Sequence, residues 1–187
     1  NLDQVQPDFL VAACYKWLLG PYSTGILYVA PQHQDGKPIE FNGLNRAGSE
    51  DFTKLVYYRN DYQVGARRFD VGERSNFALL PPLIAGLQQI TDWGIDSIYA
   101  TIGEITRRIA QQAEQIGLTV GNPTHRAKHF LGIRFAGGVP YDLTNHLAKH
   151  GVYVSVRGNC VRVTPHLYNT DNDVERLFES LSTHLSL

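Results

Sequence analysis

Residues 8–29 read DFLVAACYKWLLGPYSTGILYV, in which two short apolar runs flank a single lysine. The first run extends from Asp8 to Cys14 and the second from Ile26 to Ala30. Both are short and rich in β-branched, aromatic and aliphatic residues, which predicts two β-strands. Lys16 is therefore expected in a turn between two strands.

The surroundings of Lys16 suggest two interpretations. Its neighbours Ala-Ala-Cys-Tyr and Trp-Leu-Leu-Gly-Pro are mostly apolar, and an ammonium in such a setting is costly unless it is paired or chemically used. Because only a neutral amine is nucleophilic, a desolvated lysine is suited to attack an aldehyde. The alternative is an ordinary lysine whose amine extends from the turn into water. Taken alone, the residues leave both open.

The rest of the chain predicts a loop, two helices and a compact domain. Residues 31–60 are polar and contain glycine, which predicts an irregular, functional loop. A helix is expected from Pro81-Pro82 to Trp93, and the spacing of Ile98, Ile102, Ile105 and Ile109 predicts a second helix to about Gly117.

Residues 118–187 are expected to form an α+β domain. We predict strands at 119–120, 130–135, 152–156 and 160–164, and helices at 141–150 and 171–185. Thr170 and Asp173 have the spacing of a capping box at the start of the last helix.

Composition narrows the class of protein. The chain has 187 residues, of which 43% are hydrophobic, so it can bury a core. Its 17 basic and 18 acidic side chains nearly balance, and no run of Lys or Arg forms the basic stripe of a nucleic-acid binder. No apolar run approaches the length of a membrane span. Cys14 and Cys160 are too few for a disulfide framework and are expected as buried thiols in a reducing cytoplasm. Since the sequence has no Met and starts at Asn1, we expect a fragment or a processed chain.

Residues 8–29 resemble the cofactor-lysine region of the class V aminotransferase family, which are fold-type-I enzymes dependent on pyridoxal 5'-phosphate (PLP). The similarity covers the acidic residue and apolar strand, Tyr15 before the lysine, Trp17 after it, the Gly-Pro pair and the second strand. It implies that Lys16 forms the Schiff base (internal aldimine) with PLP and that Tyr15 lies at the cofactor. Ser23 is a departure, because glycine is commoner there.

Residues 65–77, GARRFDVGERSNF, resemble the family's segment ahead of the interdomain helix. The resemblance implies that the backbone N–H groups of Gly72 and Glu73 bind the cofactor phosphate of the partner subunit, with Arg74 nearby. A tight loop that presents amides suits an anion. Glu73 stands where threonine is frequent, so a hydroxyl–phosphate bond does not carry over. The alternative is a solvated loop that leads into a helix.

Residues 154–173, VSVRGNCVRVTPHLYNTDND, resemble the family's closing segment, which ends in Tyr168-Asn169-Thr170. The resemblance implies that Arg162 clamps the substrate α-carboxylate, a geometry that a planar guanidinium provides. The alternative is that Arg162 lies on the wet face of an edge strand. Cys160 invites comparison with cysteine desulfurases of the same family, but it lies two residues before Arg162 inside a predicted strand, which favours a structural thiol.

The resemblance implies an α/β, fold-type-I architecture: the end of the PLP-binding large domain at 1–80, interdomain helices at 81–116 and a small domain at 117–187. It implies an amino-acid substrate, a reaction of transaminase, epimerase or C–S lyase type, and a homodimer in which the Asn45-Arg46 and Gly72-Glu73 regions reach across. The ring-pairing carboxylate and the ring-stacking residue are expected upstream of this sequence, so the chain alone is expected to be inactive. Two alternatives are a cysteine desulfurase or selenocysteine lyase, and a non-catalytic small-domain fragment with a dimerisation or structural role.

Overall fold

The computed structural model describes residues 1–54 and 56–186. The chain divides into two compact units, Asn1–Asp92 and Trp93–Leu187. This boundary falls at the end of the first long helix, whereas the three-part division inferred from the sequence stays a prediction. No helix within the described residues is long and apolar enough to cross a membrane.

The first unit is built on a β-hairpin and a helix. After the short helix α1 (Leu2–Val5), strand β1 (Phe9–Ala13) pairs antiparallel with β2 (Gly25–Val29), in register from Phe9 opposite Val29 to Ala13 opposite Gly25. Helix α2 (Leu80–Trp93) closes the unit. Asn76 stabilises the residues just before the helix, because its Oδ1 accepts hydrogen bonds from the N–H groups of Ala78 and Leu79. Both strands and the helix were predicted from the apolar pattern and are confirmed.

Residues 31–54 and 56–79 form a long excursion, and the regular structure in these described residues is confined to 3-10 turns at Pro31–His33, Phe52–Lys54 and Gly65–Phe69. Its buried polar side chains are Asn45, Ser49 and Gln63. Gln63 donates to Ser49 Oγ at 3.0 Å and to Glu50 Oε1 at 2.7 Å. Because these buried side chains donate hydrogen bonds within the loop, hydrogen bonds help to define its conformation.

The second unit is a two-layer α+β domain, as predicted. Helix α3 (Ile95–Gln115) precedes β3 (Thr119–Val120), β4 (Leu131–Arg134), α4 (Leu143–Lys149), β5 (Ser155–Arg157), β6 (Cys160–Val163) and α5 (Asp171–Leu185). The antiparallel sheet has the order β3-β4-β6-β5. Side chains from one face of the sheet pack with the three helices into one core, which includes Ile109, Leu131, Ile133, Leu143, Leu147, Val161, Val163, Leu177, Phe178 and Leu181.

Two expectations for the second unit are corrected. A strand was predicted at 152–156, but the observed strand is β5, Ser155–Arg157. Val152 and Val154 pack against the core without pairing to a neighbouring strand, and so they lie outside β5. Strand β6 is an inner strand between β4 and β5, so Arg162 does not lie on an edge strand. The predicted capping box is confirmed in geometry, since Thr170 N–H donates to Asp173 Oδ2 at 2.8 Å.

Candidate active site

Lys16 lies in the turn that connects β1 and β2. The Leu19 N–H donates to the Lys16 carbonyl at 3.0 Å, and the Gly20 N–H donates to the Cys14 carbonyl at 2.8 Å. These bonds hold the lysine backbone in a tight turn while its side chain is exposed. The lysine is therefore accessible to a reagent within this unit, and its backbone position is set by hydrogen bonds.

Helix α2 fixes the position of this turn through two glycines. A Cβ on Gly86 would lie 2.7 Å from the Leu19 carbonyl oxygen and 3.1 Å from the Leu18 carbonyl oxygen. A Cβ on Gly20 would lie 2.7 Å from Leu83 Cδ1. The turn and the helix thus touch backbone to backbone, a contact that only glycine permits. The periodicity of α2 did not indicate this role of Gly86.

The lysine side chain lies beside Tyr15, which stacks on a second tyrosine. The rings of Tyr15 and Tyr22 stack with centroids 4.5 Å apart and an angle of 18° between their planes. The Lys16 Nζ atom lies 5.0 Å from the centroid of the Tyr15 ring, within the range of a cation–π contact. Tyr15, a predicted cofactor contact, is therefore held in place by Tyr22, which sequence reasoning did not single out.

An anionic group already bonds one of the predicted phosphate-binding amides. The Gly72 N–H donates to Glu40 Oε2 at 2.9 Å, and Asn42 Nδ2 donates to the same oxygen at 3.3 Å. The Glu40 carboxylate stands in the position of an oxyanion at a backbone amide. The predicted role of Gly72 as an anion contact is thus compatible with the geometry of the loop and stays a prediction, as does that of Glu73.

The Gly72 region and the Asn45-Arg46 region lie together. Asn45 is fully buried, its Nδ2 donates to the Glu40 carbonyl at 2.7 Å, and its Oδ1 is buried without a hydrogen-bond partner in the described residues. Arg74 donates to the Leu44 carbonyl at 3.4 Å and pairs with Asp70 at 3.2 Å. Two stretches separated by some thirty residues in sequence therefore form one polar assembly. Direct contact between Asn45 and a substrate stays a prediction, since its visible contacts hold the loop.

Arg46 lines an open cavity of about 620 Å³ in the first unit. Its guanidinium lies 4.0 Å above the Tyr62 ring and donates to the Asn60 carbonyl at 2.7 Å. The cavity also carries Lys54, Arg59 and exposed aromatic side chains of Phe41, Tyr57 and Tyr58. Lys54 pairs with Asp51, which also lines the cavity, and Arg59 pairs with Asp61. The role of Arg46 in substrate binding stays a prediction.

Arg162 projects from the outer face of the second unit's sheet. On β6 it alternates with the buried Val161 and Val163, and it is exposed. Its cross-strand neighbours are Gly132 on β4 and Ser155 on β5. Small residues on both sides leave room around the guanidinium, which suits a carboxylate clamp.

The segment after Arg162 is structural. The His166 N–H donates to Asn169 Oδ1 at 2.9 Å, and the His166 ring stacks on Tyr168. The hydrogen bond from the Thr170 backbone N–H, with smaller contributions from Asn169 and Arg176, lowers the pKa of the Asp173 carboxyl below its usual range. These contacts connect the end of β6 to the start of α5.

Cys160 differs from Cys14. Cys14 is 0% exposed, whereas Cys160 is half-buried on the same face as Arg162, which corrects the expectation of two buried thiols. Its Sγ lies 3.6 Å from Asn159 Oδ1. A position inside a regular strand differs from the flexible loop cysteine that a desulfurase requires.

A model of the family described as aminotransferase class-V matches residues 1–177. The chain belongs to the class V aminotransferase family. Class V members use pyridoxal phosphate, so the predicted family, fold and cofactor class agree with this match. A class V relative, an uncharacterized aminotransferase of Schizosaccharomyces pombe, is 28% identical over 178 residues, which are 90% of this chain and 43% of that protein. An L-cysteine desulfhydrase-like protein of Epichloe uncinata is 50% identical over 34 residues, 18% of this chain and 8% of that protein.

Solved structures support the class V fold. The apo cysteine desulfurase of Thermococcus onnurineus NA1 matches with a TM-score of 0.79 at 20% identity, over 100% of this chain and 49% of that chain. A mutant of the cystine C–S lyase C-DES, with glycine covalently linked to its PLP cofactor, matches with a TM-score of 0.76 at 15% identity, over 97% and 47%. The chain therefore spans about half the length of these proteins and has the fold-type-I architecture.

Proposed function

We propose that the protein to which this chain belongs is a PLP-dependent enzyme that acts on an amino acid, with Lys16 as the cofactor lysine and Arg162 as the α-carboxylate clamp. The observation that carries this proposal is Lys16 itself, an exposed amine on a turn held against α2 by glycine contacts. The exposed amine also matches the alternative of a lysine that extends into water, so the proposal is supported by the fixed turn together with the family match. The class V match across 1–177 supports the same residue.

The residues present fit the cofactor. The Gly72 N–H already donates to the Glu40 carboxylate, an oxyanion, and this supports a role in phosphate binding in which a phosphate oxygen replaces that carboxylate. Tyr15 and Tyr22 supply aromatic surface beside the lysine. When bound, pyridoxal phosphate supplies an electron-withdrawing ring that stabilises negative charge at the substrate Cα.

The chain's own residues have defined tasks. Lys16 would hold the cofactor through its amine and, once displaced by the substrate amine, would accept the proton from the substrate Cα. Arg162 donates two parallel hydrogen bonds to the α-carboxylate and so orients the amino acid. Transamination, epimerisation and β-elimination of the C–S lyase type all begin with this proton removal.

The test is covalent trapping at Lys16. The chain is incubated with pyridoxal phosphate, reduced with borohydride and measured by intact mass, beside Lys16→Ala and the matched control Lys37→Ala, which removes another exposed lysine of the same unit. We expect a single adduct on the chain and on Lys37→Ala, and none on Lys16→Ala. The proposal would be contradicted if both variants formed the adduct to an equal extent. It would also be contradicted if neither this chain nor a longer chain that includes the upstream half formed an adduct.

A cysteine desulfurase or selenocysteine lyase is a second candidate, favoured by one observation: Cys160 is half-buried on the face that carries Arg162. A desulfurase would hold a persulfide on this thiol. Cyanolysis after incubation of the full-length protein with cysteine measures that sulfur. Absence of this sulfur from the parent protein would remove the candidate, and its retention in Cys160→Ala would exclude Cys160 as the sulfur carrier.

We also propose a homodimer, in a reducing cytoplasm that keeps Cys14 and Cys160 as free thiols. Large apolar side chains are exposed along the excursion of the first unit, close to the predicted cross-subunit residues, and soluble monomers rarely expose so many together. They are Ile39, Phe41, Phe52, Val56, Tyr57, Tyr58, Val64 and Phe77. A structural or dimerisation role without catalysis would use the same surface, and the trapping experiment at Lys16 distinguishes it.

A further inference from the structure

The outer face of the second unit's sheet carries three arginines. The cross-strand register places Arg134 of β4 and Arg157 of β5 on either side of Cys160, and Arg162 follows two residues along β6. Directly opposed residues share a face, and residues two apart on a strand also share it. Arg134, Arg157 and Arg162 therefore project from one surface, opposite the face that forms the core with the helices.

These three arginines have no carboxylate partner within residues 1–54 and 56–186. The arginines of the unit's helices differ, because Arg107 pairs with Glu104, Arg108 with Asp171 and Arg176 with Asp173. Strands β3 to β6 contain no acidic residue at all. Positive charge is thus concentrated on the sheet face and left without neutralisation there.

The spacing of the three arginines suits a small dianion. Standard sheet dimensions put the Cα atoms of Arg134 and Arg157 about 10 Å apart, with that of Arg162 about 7 Å along the strand from Cys160. Arginine side chains are long enough to reach a common region above the sheet from these positions. In the structure Arg157 Nη1 donates to the Val156 carbonyl at 2.8 Å, so its other N–H groups are those available to a ligand. Like charges held this close repel one another, so an anion between them lowers the energy of the face.

Small residues leave that region open. Gly132 and Ser155 flank Arg162, and a Cβ on Gly132 would meet only the Cys160 side chain at ordinary contact distance, 3.5 Å from Cβ. Arg134 is oriented by the hairpin turn, since its Nη1 donates to Asn159 Oδ1 at 2.9 Å. One guanidinium edge of Arg134 is used by the turn, and its remaining N–H groups are available for a ligand.

We propose that Arg134 and Arg157 bind a second anionic group of the substrate, so that the amino acid held by Arg162 has an acidic side chain. This inference rests on the proposed role of Arg162 as the α-carboxylate clamp. The two arginines are specificity-determining residues: they select the substrate by its distal charge and take no part in moving the proton. A carboxylate and a sulfinate share the required chemistry, which is a planar or pyramidal oxyanion that accepts from guanidinium N–H groups.

The test uses glutarate, a dianion, and butyrate, a monoanion of similar chain length, as probes. Each is titrated into the ¹⁵N-labelled chain at constant ionic strength, and the amide shifts of Gly132, Arg134, Cys160 and Arg162 are followed by NMR. We expect saturable shifts with an affinity for glutarate about ten-fold higher than for butyrate. Equal affinities for the two probes would overturn the proposal.

Variants locate the second contact. Arg134→Gln and Arg157→Gln are expected to weaken glutarate binding several-fold and to leave butyrate binding unchanged, whereas Arg162→Gln weakens both. The matched control is Arg126→Gln, which removes the same charge from the same unit outside the sheet strands and leaves both affinities unchanged. If Arg126→Gln weakened glutarate binding as much as Arg134→Gln does, the change in net charge would explain the weaker binding. That result would overturn the proposal. Spectral dispersion of each variant reports its fold.

The outcomes of this titration and of the trapping experiment are independent. Glutarate binding requires no cofactor and reports on the second unit, whereas the borohydride adduct reports on Lys16 in the first. An adduct at Lys16 without selectivity for glutarate would sink the acidic-substrate inference alone. Selective glutarate binding without an adduct on either this chain or the longer chain would leave an anion-binding face and remove the cofactor proposal.

Discussion

Leu19 and Ser23 adopt left-handed backbone conformations, with φ of 54° and 68°, in the turn that carries Lys16. Such values favour glycine, because a Cβ in this region approaches the following carbonyl oxygen. Ser23 is also the residue at which the sequence departs from the glycine common in similar proteins. The departure therefore has a local cost, and the surrounding hydrogen bonds offset it: Cys14 N–H to the Thr24 carbonyl at 3.0 Å, and Thr24 Oγ1 to the Pro21 carbonyl at 2.6 Å.

Ser23→Gly is expected to relieve this strain. The left-handed conformation costs a non-glycine residue about 1–2 kcal/mol, and the extra flexibility of glycine in the unfolded chain offsets about 0.5–1 kcal/mol. We expect the free energy of unfolding, measured by urea denaturation, to rise by about 0.5–1 kcal/mol. Ser23→Val is the opposing control, because a β-branched residue is least tolerated here and should lower stability. A less stable Ser23→Gly would contradict the strain argument.

Asp173 gives a pH dependence at the residue scale. Its pKa is lowered, chiefly by the hydrogen bond from the Thr170 backbone N–H, so the ionised carboxylate is the form that stabilises the start of α5. A carboxyl with a depressed folded-state pKa contributes stability that is present above its unfolded pKa of about 4, and this stability is lost as the pH falls through the folded value. We expect Asp173→Asn to lose less thermal stability than the parent chain between about pH 5 and pH 2. Parallel melting-temperature curves for the two proteins would contradict this role.

At the scale of elements, two close contacts involving glycine have opposite consequences. Gly86 of α2 faces the backbone of Leu18 and Leu19, which are part of the turn carrying Lys16. Gly103 of α3 faces the flexible side chain of Lys128, whose Cδ lies 2.6 Å from an added Cβ. A backbone neighbour resists displacement, whereas a lysine side chain rotates away at little cost.

The pair Gly86→Ala and Gly103→Ala tests this contrast. Alanine gains up to about 1 kcal/mol of helix propensity at either site. At Gly86 the clash with the turn outweighs this gain, and we expect the free energy of unfolding to fall by about 1–3 kcal/mol, with a weaker Lys16 adduct. At Gly103 we expect stability to rise or remain unchanged. Stabilisation by both substitutions, measured by chemical denaturation, would show that the turn is not held by α2.

At the scale of the whole molecule, the exposed apolar side chains of the first unit predict self-association. Tyr58 is 97% exposed in that unit, and Tyr141 of the second unit is 101% exposed, so the two tyrosines form a matched pair. If the excursion is the subunit interface, Tyr58→Lys inserts a charge into buried apolar surface, and Tyr141→Lys leaves the dimer intact. Sedimentation velocity measures both. A monomeric parent chain, or equal behaviour of the two variants, would contradict the predicted dimer surface.

Local patterns in the sequence determined much of this protein. The spacing of Ile102, Ile105 and Ile109 predicted α3, because a helix places them on one face, and the alternation of Val161, Arg162 and Val163 predicted a strand with one wet face. The turn around Lys16 followed from the apolar runs on either side. These features depend on neighbours within a few residues, and so a single sequence predicts them.

Contacts between distant residues were decided only by the tertiary structure. The place of β6 between β4 and β5, the carboxylate of Glu40 at the Gly72 amide, and the approach of Gly86 to Leu19 each join segments that no local pattern relates. The face shared by Arg134, Arg157 and Arg162 likewise depends on strand register, and a shift of one residue would turn a strand's side chains to the opposite face. The sequence alone thus predicted which residues carry the chemistry, while strand register and backbone packing decided which of them lie together.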